Sequence, residues 1–94
     1  MPDTYHVRYT ARSAEDLEAI SRYIARHSPD NAAHMVHKIV DAIDSLDILP
    51  HRYTEIGPGI RSMPVPPYLV RYTIDERRRA VMILHVRHGA RQHP

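Results

Sequence analysis

The chain has 94 residues, 43% hydrophobic and 26% charged, enough for one small core and too few to enclose a deep cofactor cavity beside it. No apolar run approaches the roughly 20 residues that cross a bilayer, the amino terminus lacks the basic-then-apolar layout of an export signal, and the absence of cysteine excludes disulfides and thiolate chemistry. One soluble, cytoplasmic domain over residues 1–94 is expected, with no membrane association and no cofactor.

Tyr5, Val7 and Tyr9 alternate with His6, Arg8 and Thr10, the period of a strand with one buried face. Ser13, with Glu15 and Asp16 just behind it, marks a helix start, and Leu17, Ile20 and Ile24 recur at helical spacing to an end near His27. Ser28 followed by Pro29 repeats the start signal. Val36, Ile39, Ile43 and Leu46 then form the apolar stripe of a longer helix ending before Pro50. A connection this short sets the two helices antiparallel, side by side. Met35 and Val40 are apolar positions of the second helix that fit either the core or a partner's groove.

Residues 50–59, with Gly57, Pro58 and Gly59, read as a loop. A short strand over residues 60–63 stops at Pro64, and the prolines there fit an edge position. Tyr68, Val70, Tyr72 and Ile74 face one way and Leu69, Arg71 and Thr73 the other, a half-buried strand. Residues 75–79 form a polar hairpin connection into a final strand over residues 80–88, apolar on both faces and so placed inside the sheet. The layout is strand, helix, helix, strand, strand, strand. It defines an α+β domain in which a helical hairpin covers one face of an antiparallel sheet.

The charge is unevenly spread. Residues 1–49 carry five Lys and Arg against eight Asp and Glu, and residues 50–94 carry eight Arg against three acids. The basic half is entirely arginine, which favours bidentate contacts to phosphate or carboxylate. Its final strand ends in His85, Arg87, His88 and Arg91, basic groups on a rigid support. His34 and His37 share a helical face, but no cysteine accompanies them and no third acidic ligand stands at a diagnostic spacing, so no metal site is assigned.

Taken in order, Ala14, Asp16, Leu17 and Ile20; Pro29 and Ala32; Ile43, Leu46 and Pro50; Gly59 to Arg61; Tyr68, Tyr72, Ile74 and Asp75; and Val86, His88, Gly89 and Arg91 resemble the RelE/ParE superfamily of bacterial type II toxins. The resemblance spans nearly the whole chain. It implies a growth-inhibiting toxin neutralised by a cognate antitoxin, acting either on messenger RNA at the ribosome, as RelE-like members do, or on DNA gyrase, as ParE-like members do. Carried over to this chain, a nuclease would use Arg61, Arg71 and His88. However, Leu69 stands where those nucleases commonly place a catalytic Arg, and their carboxy-terminal catalytic Tyr is missing. The ending over residues 86–91 is closer to ParE-like members. That resemblance implies a gyrase inhibitor, not an enzyme, whose target contacts are Arg87, His88 and Arg91, with Gly89 letting the chain leave the sheet. A non-toxic scaffold that only binds antitoxin is a third reading.

Overall fold

The computed structural model describes residues 4–90. Five strands and two helices follow in the order β1 (His6–Tyr9), α1 (Ala11–Ala25), α2 (Pro29–Asp44), β2 (Glu55–Gly57), β3 (Ile60–Val65), β4 (Tyr68–Asp75) and β5 (Ala80–His88), with short 3₁₀ turns at Ser45–Asp47 and Pro50–Arg52. The sheet order is β1-β5-β4-β3-β2. From β2 to β5 the sheet is an antiparallel meander. β1, however, runs parallel to β5, so the sheet is mixed and not wholly antiparallel. The helical hairpin between β1 and the meander is the crossover that a parallel pairing needs.

One face of the sheet meets the helices. Ile39, Ile43 and Leu46 from the second helix and its 3₁₀ extension, Met63, Val70 and Tyr72 from β3 and β4, and Val81 and Ile83 from β5 are fully buried. The Tyr72 hydroxyl donates to the Pro50 carbonyl at 2.6 Å, satisfying a polar group that burial would otherwise penalise. Met35 packs against this core and Val40 is half-buried. β5 lies between β1 and β4, the interior position its two apolar faces predict.

Three local starts and stops differ from the expected ones. Thr10, not Ser13, caps α1, accepting from the Ser13 backbone N–H at 3.1 Å; Ser13 is itself buried, its hydroxyl donating to the Thr10 carbonyl. Residues 55–57, read as loop, pair with β3. β3 continues through Pro64 to Val65, because β2 reaches only Ile60 and Arg61 and leaves an open edge where a proline costs no ladder bond. Ser28 and Pro29 start α2 as predicted, with the Ser28 hydroxyl accepting from Asn31 N.

Between Arg71/His85 and Tyr72/Ile83 the β4–β5 register slips by one residue, leaving Leu84 as a bulge. A bulge reverses which face the following residues occupy. Before it Val81 and Ile83 point to the helices; beyond it Val86 does. Thr10 secures this irregularity. Its hydroxyl lies 2.8 Å from the Ile83 carbonyl and 3.0 Å from that of Leu84, and its backbone N–H donates to Ile83. Farther along α1, Asp16 accepts the Val86 N–H at 2.9 Å. α1 therefore takes over the edge of β5 where β1 has ended, closing backbone groups that would otherwise be orphaned.

Candidate functional site

Among the described residues, no other element covers the face of the sheet away from the helices. By register it carries His6 and Arg8 of β1, Ala80, Met82, His85 and Arg87 of β5, and Leu69, Arg71 and Thr73 of β4. Arg71 stands directly opposite His85, roughly 5 Å away at Cβ by the spacing of such pairs. Arg87 follows two residues along on the same face, opposite Leu69. Arg71 is oriented by its Nε, which donates to Ser62 Oγ at 3.0 Å.

His85 occupies the centre of this group. Its Nδ1 is buried and meets no hydrogen-bond partner among the described residues. Burial, then the charges of Arg12 and Arg71, and finally that of Arg87, hold its pKa below the ordinary imidazole value; Asp16 opposes them. The ring is therefore neutral at neutral pH, able to accept a proton while the neighbouring guanidiniums present forked donors to an oxyanion.

The expected site residues do not all share this face. Arg61 pairs with Tyr72 and lies on the helix side, whereas its neighbour Ser62 pairs with Arg71 on the open side. Arg61 holds the incoming loop, donating to the carbonyls of His51 and Tyr53 at 3.2 and 2.8 Å and approaching Glu55 at 3.7 Å. His88 pairs with Tyr68 on the helix side, its ring set edge-on to that of Tyr68 at 5.3 Å. Its Nδ1 accepts the Ala90 N–H at 3.1 Å. Arg71 and Arg87 thus lie together on the open face, Arg61 and His88 on the other, and Arg91 outside the described residues. Gly89 has no left-handed φ. Its small size matters because a Cβ there would come within 3.3 Å of the Pro67 carbonyl oxygen, the group its own N–H bonds at 2.8 Å.

His85 enters the sequence reading only as part of a basic strand end. The Leu84 bulge is what places it with Arg71 and Arg87, and no local pattern marks a bulge in a run of apolar residues. No group of three or more potential metal ligands is found among the described residues, and no helix there is long and apolar enough to cross a membrane.

A two-helix layer on a five-stranded mixed sheet is the fold of the RelE/ParE toxins. A chain of the chromosomal ParDE toxin–antitoxin system of P. aeruginosa superposes with a TM-score of 0.78 at 21% identity over 92% of this chain and 97% of that one. A chain of the RelBE2 toxin–antitoxin complex of Mycobacterium tuberculosis superposes with a TM-score of 0.67 at 26% identity, covering 90% and 98% respectively. In sequence, Toxin RelE2 of Caulobacter vibrioides is 37% identical over 86 residues, spanning 90% of this chain and 96% of the relative. Residues 7–93 match the family model described as the ParE toxin of the type II toxin–antitoxin system parDE. The chain belongs to this ParE toxin family, within the RelE/ParE superfamily.

Proposed function

We propose that the protein is the toxin of a type II pair, held inactive in the cytoplasm by a cognate antitoxin, and that its open sheet face acts on DNA gyrase. The solved ParDE and RelBE2 relatives are toxin–antitoxin systems, which supports the partner. The observation that carries the target is the division of basic groups between two faces. Cleaving RNA through its 2′-hydroxyl calls for a base, an acid and positive charge around the phosphorane. Arg61 and His88 lie across the sheet from Arg71, and the Arg71–His85–Arg87 group holds a single imidazole as its only carrier able to exchange a proton near neutral pH. Such a group suits recognition of an anionic surface better than two-proton chemistry.

The neutral His85 between guanidiniums favours one second reading, a ribosome-dependent messenger RNA endonuclease with His85 as base. Purified toxin added to gyrase and plasmid is expected to inhibit supercoiling or trap cleaved DNA. Unimpaired gyrase, together with codon-dependent cuts on programmed ribosomes that disappear in His85→Ala, would replace the gyrase reading by the nuclease. Undisturbed growth on induction without antitoxin, despite soluble expression, would leave only the non-toxic scaffold.

A further inference from the structure

The open face has a second cationic end. His6, Arg8, Asp75, Arg78, Ala80 and Met82 line a cavity of about 360 Å³ where β1, β5 and the β4–β5 turn meet. Asp75 is the carboxylate there. It accepts from the Arg78 backbone at 3.1 Å and pairs with the Arg78 guanidinium at 3.3 Å, contacts that hold its pKa below the usual carboxylate range. That pairing largely offsets Arg78. Arg8 is exposed and has no ion-pair partner among the described residues, which leaves it as the cation of the cavity.

Arg8 stands opposite Met82, and Arg87 lies five residues farther along β5. At about 3.3 Å per strand residue the two ends are roughly 15 Å apart. One strand of duplex DNA advances about 3.4 Å per phosphate, so this distance spans four to five phosphates. Among the described residues, the face between them carries no Tyr, Trp or Phe ring on which an unpaired base could stack. Tyr5, Tyr9, Tyr68 and Tyr72 lie on the helix side by the same alternation, Tyr23 is on α1 and Tyr53 packs against the core, and the chain has no Trp or Phe. Single-stranded nucleic acids are held through such aromatic platforms, whereas a duplex is held through its phosphates alone.

We propose that the open sheet face is a sequence-independent binding site for the phosphate backbone of duplex DNA, gripped at one end by Arg71 and Arg87 and at the other by Arg8. The inference goes beyond the gyrase reading and fails separately from it. Duplex binding without inhibition of supercoiling would uphold the site and overturn that target; inhibition without duplex binding would do the reverse.

The test is fluorescence anisotropy of the full chain with a labelled duplex of about 20 base pairs, its single strand and the RNA of the same sequence, at roughly 50 to 200 mM salt. Three phosphate contacts give a log–log salt slope near −2.7 and a loss of about 40-fold across that range. Arg8→Ala, with its thermal melt unchanged, is expected to weaken duplex binding about ten-fold, the loss of one charge-assisted contact. It should also bring the slope to about −1.8. An Arg8→Ala protein with the same affinity and slope, or tighter binding of either single strand than of the duplex, would overturn the proposal.

Discussion

A buried imidazole nitrogen without a partner makes His85 a reporter of proton linkage. Its pKa is lowered first by burial and then by Arg12 and Arg71, so the folded chain resists protonation at a pH where the unfolded chain, near the ordinary value of about 6.5, accepts it. The unfolded state binds more protons in that window, and stability must fall as pH drops below about 6.5 until the folded group also titrates. His85→Gln removes the titration while keeping a polar side chain. The wild type should lose more melting temperature than the variant between about pH 7.5 and 5.5; parallel curves would show that His85 is not held neutral. Tyr72 tests the opposite situation, a buried polar group fully satisfied by the Pro50 carbonyl. Tyr72→Phe leaves that carbonyl unpaired and should cost about 1–2 kcal/mol in denaturant unfolding.

At the level of elements, the join between β1, α1 and β5 rests on Thr10, whose hydroxyl serves the first turn of α1 and the carbonyls of the bulge together. Thr10→Ala should lose about 1–2 kcal/mol and Thr10→Ser should recover most of it; an equal loss in both would assign the effect to the methyl group. The same join explains what could be read from the sequence and what could not. The Ser28–Pro29 start of α2 and the alternation of Tyr68, Val70, Tyr72 and Ile74 are local patterns, and both appear as read. The interior position of β5 also followed from composition, since only a flanked strand can be apolar on both faces. The parallel pairing of β1 with β5 joins segments more than 70 residues apart, and four residues of alternation do not encode a direction. β2 is three residues long, too short to show a period. The Leu84 bulge then exchanges inward and outward positions, so Arg87 could be picked out as a basic strand-end residue while the choice between His85 and His88 as its imidazole neighbour could not.

Across the whole molecule, the sequence's two unequal halves become two unlike faces. α1 and α2 carry six carboxylates against three basic side chains, while the open sheet face carries Arg8, Arg71 and Arg87 with Asp75 at its rim. Low-dielectric protein lies between the layers, so the field outside the sheet is set mainly by its own guanidiniums and draws polyanions, with a strength that salt screens. An antitoxin can hold the helix layer by apolar contacts without touching this face, or lay carboxylates across it. Replacing Arg71 and Arg87 together by Ala separates these arrangements from the toxic act. Both side chains lie on the uncovered face, and the fully buried core residues lie on the other, so the variant should fold; its co-purification with antitoxin would place the antitoxin on the helix layer, and loss of co-purification would place antitoxin carboxylates across the sheet. Induction of the variant alone should no longer arrest growth, the colony count rising toward that of uninduced cells. Arrest as strong as the wild type's, from a variant with an unaltered melt, would move the toxic surface off the open face altogether.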